Sequence, residues 1–491
     1  MKKLTILIFI FSNFLVAGGQ SQIQWQKSYG GSNFERAYSA AQTGDGGYIV
    51  VGETTSTDGD VAGNLPDYKS AWILRLDQNG DTIWTKCFHD AGTAYAVEQT
   101  ADDGFVISCS GFTLLKLSVA GQVSWSHSIG DGSFLDNAYT VSHTGDDGYI
   151  AGGELWGGRD GFGTDEWFIA KYDQSGDTLW TVCFEDELPG ACYSVKETSD
   201  GGYIAAGSKD RHIEINPGEY QINYDFYILK LNSSGDSIWS NTFGGSGNDI
   251  AYSVLEASDG GFVLIGSCGS DEMTKGDEDG WIIKVDENGN FVWQKFIGGS
   301  GWDQILSGNK TKDNGYVLCG FSISYDGDLP DDYWGPDYWI VKTDESGNVI
   351  LSECFGGDSQ DYGQYALQTK DGGYLMAGRS WSDNGDLTEN KGFEDAWIVK
   401  LASTSSGIHE STGFGQDMEI YPNPVRDELF INKVSRNPGY LSIYTIDGKL
   451  VKQRKIDSGI NRIDVSELDK GSYLLRIDGS KDTFSKKLIK Q

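Results

Sequence analysis

The sequence predicts an all-β fold: a seven-bladed β-propeller closed by its own N-terminal strand, followed by a second, small β domain. Three observations predict it. The chain has 491 residues, with 67 Gly against 8 Pro and 13% aromatic residues. Disorder is aromatic-poor, and glycine costs about 1 kcal/mol per helix-interior position, so short strands joined by turns are the reading left. One phrase also returns along the chain at a period that marks propellers and solenoids. Finally, the strand count is uneven at the two ends of the repeat array.

The phrase is an aromatic or Tyr-Ser-Val run, Asp-Gly-Gly-Tyr, Trp-Ile-x-Lys-Leu-Asp, then Gly and a Trp. Trp25, Trp84, Trp125, Trp180, Trp239 and Trp293 close successive units, with Leu351 in the seventh slot. The gaps are 59, 41, 55, 59, 54 and 58 residues. The fourth unit reads as strands a to d at 193–198, 203–207, 226–231 and 237–243, from alternation and aromatic or β-branched content. Asp200-Gly201-Gly202 makes the a–b turn, where glycine supplies the positive φ of a tight hairpin. Strand c occurs seven times, at Trp72, Leu114, Phe168, Tyr227, Trp281, Trp339 and Trp397. The last unit stops at Leu401 without a strand d, yet the chain begins with an orphan strand d at Trp25–Tyr29. Joining the two closes a ring and removes a sheet edge. A solenoid would not need the missing strand to reappear at the start.

Lys2 and Lys3, an apolar run from Leu4 to Val16 and small residues at 17–19 have the shape of a secretory signal peptide over residues 1–19. That run is too short for a membrane span, and no other long apolar stretch follows. The net charge of -34 excludes nucleic acid as an expected partner, since phosphate binding needs a basic surface. The seven Cys leave at least one unpaired. Most recur at repeat positions, as small core residues do; Cys183 with Cys192 is the one local pair that suggests a disulfide.

The propeller spans 20–402, a small polar linker 403–416, and a segment of different composition 417–491. That segment has 14 Lys+Arg and 11 Asp+Glu; the rest of the chain has 24 and 61. It contains Ile420-Tyr421-Pro422-Asn423-Pro424, Leu441-Ser442-Ile443-Tyr444 and Asp447-Gly448-Lys449. It ends on Gly471-Ser472-Tyr473 and the basic stretch Lys486-Lys487-Leu488-Ile489-Lys490. It closely resembles the type A C-terminal sorting domain of the type IX secretion system. The resemblance implies an Ig-like β-sandwich, with Pro422, Asn423, Pro424, Gly471, Tyr473, Lys486 and Lys487 in the sorting signal. It also implies the type IX machinery as partner, and export through periplasm and outer membrane to the medium or cell surface.

In a propeller the a–b and c–d turns share one face and the b–c and d–a loops the other. The first set is short and repetitive. The second varies, as at 53–70, 208–225, 321–338 and 379–396, and variable loops on a rigid ring are where function sits. Blade 2 lacks a b–c loop. Trp156, Trp302, Trp334 and Trp381, with Tyr325 and Tyr333, fall in these loops among carboxylates, a composition suited to sugar faces. The alternative is that they pin their own loops. Asp58 and Asp60, Asp326 and Asp328, and Asp383 and Asp386 form acidic pairs suited to Ca2+, although Asp and Gly also make turns.

The expected function is therefore recognition of an extracellular glycan or protein. A glycoside hydrolase or lyase on the same face and a purely structural surface protein are the alternatives. The c–d turn Asp77-Gln78-Asn79-Gly80-Asp81-Thr82-Ile83-Trp84 resembles the sialidase Asp-box and the tryptophan-docking motif of quinoprotein dehydrogenases. Both spacings differ by one residue, and both motifs are structural, so they imply a blade and no reaction. The arginines a sialidase would need are reduced to Arg36, Arg75, Arg159, Arg211 and Arg379, and the five His lack zinc spacing. Asp81-Thr82-Ile83, Asp177-Thr178-Leu179 and Asp236-Ser237-Ile238 resemble the O-glycosylation site of bacteria that use this route, though hairpin chemistry accounts for them equally.

Overall fold

The computed structural model describes residues 22–129, 136–156, 165–183, 190–216, 219–270, 273–329 and 335–403. In the C-terminal segment it describes 418–421, 425–426, 428–433, 439–445, 450–456, 459–468, 470–478 and 483–490. The expected signal peptide, most of the linker and Pro422-Asn423-Pro424 lie outside the described residues. Gln22–Ala402 forms one compact unit, and the C-terminal segment belongs to another.

The first unit is a propeller-like succession of seven four-stranded antiparallel sheets. Sheet 1 comprises Glu35–Gln42, Tyr48–Thr54, Ser70–Leu76 and Thr82–Phe88 as strands a to d. Sheets 2 to 6 follow at 94–128, 137–183, 190–243, 249–297 and 303–355. Sheet 7 has Asp361–Gln368, Tyr374–Ser380 and Asp395–Leu401 as a to c, and its strand d is Ile23–Tyr29. Trp25 pairs with Lys400, Ser28 with Trp397 and Tyr29 with Ala396. The fully buried Trp397 donates its indole N–H to Gln26 Oε1 at 2.8 Å, as Trp339 of sheet 6 donates to Ser352 Oγ at 2.9 Å. The N-terminal strand thus takes the place of an ordinary strand d.

Strands b and c are buried on both faces and read as continuous apolar runs such as Tyr48–Thr54. Each strand c nevertheless carries one buried cation. Arg75, Lys116, Lys171, Lys230, Lys284, Lys342 and Lys400 reach Asp45, Asp102, Asp146, Asp200, Asp259, Asp313 and Asp371 of their own a–b turns at 2.5–3.1 Å. The long stem fills the core while the head satisfies the turn. The Thr43 hydroxyl, and then Arg75, hold the Asp45 carboxyl down at about 2 against the cost of burial.

Half-buried indoles join one sheet to the next. Each strand-d Trp lies on the positive-φ glycine of the following c–d turn: Trp25 on Gly80, Trp84 on Gly121, Trp125 on Gly176, Trp180 on Gly235, Trp239 on Gly289 and Trp293 on Gly347. A Cβ on any of these glycines would sit 2.7–3.0 Å from indole carbons, and at Gly176 the His127 ring lies nearer still at 2.8 Å. Sheet 7 has no c–d turn, because its strand d comes from the other end of the chain. Leu351, in the Trp slot of sheet 6, therefore has no such glycine to cover.

The structure corrects two expectations. The stretch expected as the b–c loop at 208–225 is largely strand: Tyr203–Asn216 and Glu219–Leu231 pair out to Asn216 with Glu219, a hairpin arm longer than any other in the unit. Cys183 and Cys192 form no disulfide with each other. Cys183 Sγ donates to Glu166 at 2.8 Å, and Cys192 is buried against Gly152.

The C-terminal segment has a three-stranded sheet, Met418–Tyr421, Glu428–Lys433 and Gly459–Asp464. A four-stranded sheet has the order Leu450–Ile456, Gly439–Thr445, Gly471–Asp478, Thr483–Lys490. Val425, Leu429, Ile431, Leu441, Ile443, Ile463, Tyr473 and Leu475 pack between them. Lys486 and Lys487 lie on the last strand opposite Leu475 and Leu474, and Gly471 pairs with Lys490.

Trp25→Ala is expected to cost about 2–3 kcal/mol, below the roughly 3–5 kcal/mol of a fully buried ring, because its indole is half-buried. Removing residues 22–30 should lower the melting temperature further and cause aggregation through the bared strand Asp395–Leu401. Thermal unfolding with light scattering checks both, and an unchanged curve for the deletion would contradict closure by this strand.

Candidate functional site

The b–c and d–a loops meet on one face, and a repeated carboxylate clamp shapes it. Four of the d–a loops begin with Gly-Gly, at 30–31, 244–245, 298–299 and 356–357, and acids converge on those amides. Asp60 accepts Gly30 N at 3.1 Å, Asp328 accepts Gly298 N at 3.3 Å and Asp386 accepts Gly356 N at 3.1 Å. Asp58 accepts Ser32 N and Asp326 accepts Ser300 N, at 2.8 and 2.7 Å, whereas Asp383 is exposed. Five of the six acids singled out as Ca2+ ligands thus cap main-chain amides. Among the described residues, no three His, Cys, Asp or Glu side chains are gathered into a ready-made metal site.

Of the expected aromatic residues, Trp302 and Trp381 are brought into one row with two that sequence reasoning missed. Trp302 meets Phe321 edge-on at 5.0 Å, Phe321 meets Tyr362 at 4.6 Å and Tyr362 meets Trp381 at 5.7 Å. Glu278 orients the Trp302 ring by accepting its N–H at 2.7 Å. The Arg379 guanidinium covers both Tyr362 and Trp381, 4.8 and 5.4 Å from the ring centres. Tyr325 is exposed in the neighbouring loop. Trp156 is exposed on sheet 3, away from this row, and Tyr333 and Trp334 lie outside the described residues. Phe34 and Phe393 stack at 5.6 Å and are both exposed, where sheet 1 meets sheet 7.

The arginines of this face are already paired. Arg36 binds the buried Glu394 through Nε at 2.9 Å and Nη2 at 3.2 Å, and Arg379 reaches the same carboxylate at 3.3 Å. Arg211 is held by Asp225 at 3.7 Å, and Arg75 is committed to its a–b turn on the opposite face. Among the described residues, no arginine cluster is left open for a substrate carboxylate.

Inside the face lies an axial cavity of about 200 Å3. Every a–b ladder shifts register at one position, and the residue there is Tyr38, Tyr95, Tyr139, Tyr193, Tyr252, Leu306 or Gln364 in successive sheets. Such a bulge re-aims a side chain, and all seven line the cavity. The five tyrosines form an unbroken chain of ring contacts at 5.0–5.8 Å. Burial raises the phenols of Tyr38, Tyr139, Tyr193 and Tyr252 well above the ordinary range. Deeper in, Lys196 pairs with Glu98 at 3.1 Å. The returning Tyr-Ser-Val phrase was the signal for this lining.

Residues 419–491 match the family model of the secretion system C-terminal sorting domain. The chain is an exported protein of the type IX secretion route, destined for the medium or the cell surface. The sorting domain contains Gly471, Tyr473, Lys486 and Lys487 in described strands. No curated protein matches the chain. Among solved structures, the WD40 β-propeller domain of Doa1 is similar at 11% identity and a TM-score of 0.48, over 78% of this chain and 98% of that one. PorZ, a surface component of the type IX secretion system of Porphyromonas gingivalis, is similar at 12% identity and a TM-score of 0.41. That match covers 94% of this chain and 59% of PorZ. A fungal alcohol oxidase in complex with copper is similar at 11% identity and a TM-score of 0.44, over 95% and 99% of the two chains.

The clamp also buries charge at the sheet junctions. Burial, reinforced by the charges of Asp361 and Asp386, pushes Asp337 up to about 8. Burial likewise raises Asp279 and Asp395 to about 6. A carboxyl whose folded pKa lies above its unfolded value stabilises the fold below the unfolded pKa. That contribution is lost as pH rises through the folded one. The melting temperature of metal-free protein should therefore fall from about pH 5 to pH 9, and Asp337→Asn should flatten the alkaline part of the decline. Calorimetry across that range checks it; a wild-type curve that rises with pH would contradict the assignment.

Proposed function

We propose that this exported protein is a binding module: a closed seven-bladed propeller whose b–c and d–a face recognises carbohydrate, delivered by an Ig-like sorting domain. The observation that carries the reading is the Trp302–Phe321–Tyr362–Trp381 row with Arg379 across it. Flat rings beside hydrogen-bonding carboxylates and an arginine suit the apolar C–H faces and hydroxyls of a sugar. Phe34, Phe393 and Tyr325 extend the apolar surface on the same face. Binding is favoured over a glycan-cleaving reaction because the arginines are neutralised within the protein and the acids nearby cap amides. Asp58, Asp60, Asp326 and Asp328 act in this reading as loop clamps, and Asp383 is an exposed loop acid.

A glycan array with the full chain, with and without EDTA, tests this. Trp302→Ala and Trp381→Ala should each weaken binding to the best glycan about tenfold or more. Leu179→Ser, at an exposed site on the outer strand of sheet 3, should leave it unchanged. Failure to bind any glycan, or binding indifferent to both Trp substitutions, would overturn the reading.

Delivery has its own test. Removing residues 417–491 should leave the propeller folded in the periplasm, since the sheets are complete at Leu401. Fractionation with immunoblotting reads this out, and truncated protein in the medium or on the surface would count against it.

A further inference from the structure

The axial cavity is layered, because each strand a gives it side chains at more than one depth. One residue after the bulge comes a layer that includes Ser194, Ser253, Ser307 and Tyr365. Three residues after it comes another, with Glu98, Lys196, Leu255 and Asn309.

These lower layers hold hydrogen-bonding capacity that the protein does not use. Ser194, Ser253 and Ser307 accept the amides of Val254, Gly308 and Ala366 of the next sheet at 3.2, 3.0 and 3.3 Å. Among the described residues, none of the three hydroxyls donates in return. The Lys196 ammonium donates to Glu98 at 3.1 Å and to Ser142 Oγ at 2.8 Å, which leaves it a third N–H. Its side chain is 40% exposed although it stands on the innermost strand, where the cavity is the open space beside it. Tyr365 crosses the lower end. It belongs to sheet 7, yet it bonds Asn309 of sheet 6 and lies in the fields of Lys196 of sheet 4 and Glu98 of sheet 2, which places its phenol near the axis.

Lys196 and Glu98 cancel, so this floor carries no net charge but offers donors and acceptors side by side. A charged ligand would have to break the pair, and an apolar one would strand the serines and the ammonium. A neutral polyhydroxylated ring satisfies both demands. Its hydroxyls donate and accept, and its C–H faces lie on phenol rings. The cavity of about 200 Å3 has room for roughly seven waters at ~30 Å3 each, the scale of one sugar residue and not of a chain.

The wall above the floor has a gap on one side. Tyrosines run through sheets 1 to 5 and give way to Leu306 and Gln364 in sheets 6 and 7. Tyr362, a member of the aromatic row, stands two residues before Gln364 on the same strand. The row therefore adjoins the gap.

We propose that this axial cup seats the terminal residue of the glycan, a neutral pyranose entering end-on, while the Trp302–Phe321–Tyr362–Trp381 row holds the residues behind it. The proposal rests on the carbohydrate reading and adds that the protein recognises a chain end. An axis that holds the Tyr365 phenol and the Lys196–Glu98 pair cannot be threaded, so only an end can enter it.

The test takes the best glycan of the array as a free oligosaccharide, and the same molecule shortened by its non-reducing terminal residue, the end an array presents. Titration calorimetry with the full chain should show about a tenfold or larger loss of affinity on shortening. Gln364→Tyr gives sheet 7 the tyrosine of its sisters and closes the gap. It should weaken the intact oligosaccharide about tenfold and leave the shortened one unchanged, with an unaltered melting curve. Leu306→Tyr, which closes the gap from sheet 6, should do the same. Equal binding of the two oligosaccharides, with Trp302→Ala and Trp381→Ala still weakening both, would overturn end recognition and leave the carbohydrate reading standing. Variants that treat the two oligosaccharides alike would also overturn it. Absence of binding to any glycan would overturn both.

Discussion

Each sheet is fastened to the next by an indole lying on a glycine, and the architecture depends on that contact. The glycine must have positive φ to make the c–d turn, and it must lack a Cβ for the indole to approach. Turn chemistry and inter-sheet packing therefore demand the same residue. The contact occurs six times, Trp25 on Gly80 through Trp293 on Gly347. The one exception follows from connectivity. Sheet 7 borrows its outer strand from the start of the chain and has no c–d turn, so Leu351 replaces Trp where there is nothing for an indole to cover. Trp25 carries the same contact from sheet 7 to sheet 1. The borrowed strand thus supplies both the missing ladder and the missing stitch.

The repeat made this legible in the sequence. Seven strand-c motifs against six later strand-d motifs gave the topology, and Asp-Gly-Gly and Asp-x-x-Gly gave the turns. What stayed hidden was side-chain direction. Lys116 or Lys400 reads as a polar interruption of a strand, yet its head must leave the core at the a–b turn, and only the three-dimensional distance to Asp102 or Asp371 reveals why. The register shift that turns Tyr38 and its six counterparts toward the axis has no sequence mark beyond the phrase itself. Residues 208–225 show the opposite error: variable length was read as loop, whereas the ladder runs on there to Asn216 and Glu219.

The acidic excess has a structural division. Acids of the a–b turns face solvent and hold buried cations, and their pKa values fall. Acids of the opposite face gather at sheet junctions, many of them on main-chain amides, and burial raises Asp279, Asp337, Asp361, Asp386 and Asp395. Candidate ligands chosen by spacing alone, such as Asp58 with Asp60, proved to serve different amides of one turn. Spacing along a loop does not show which carboxylate is buried without a partner; among the described residues Asp337 is, and it stands at the head of an ordinary strand.

The candidate binding row sits next to the seam between the two ends of the chain. Glu394, just before the last strand c, accepts Glu35 N through its carbonyl at 2.8 Å and Arg36 and Arg379 through its carboxylate. Arg379 in turn covers Tyr362 and Trp381. The orientation of those rings is therefore coupled to the meeting of sheet 1 with sheet 7, hundreds of residues apart in sequence. An unclosed chain would keep Trp302, Phe321 and Tyr362 but would free Glu394 from Arg36. Arg379 would then be the sole cation on a buried carboxylate, an arrangement that draws the guanidinium toward the acid and off the rings. The shape of the face thus depends on the contact between sheet 1 and sheet 7 that Glu394, Arg36 and Arg379 make.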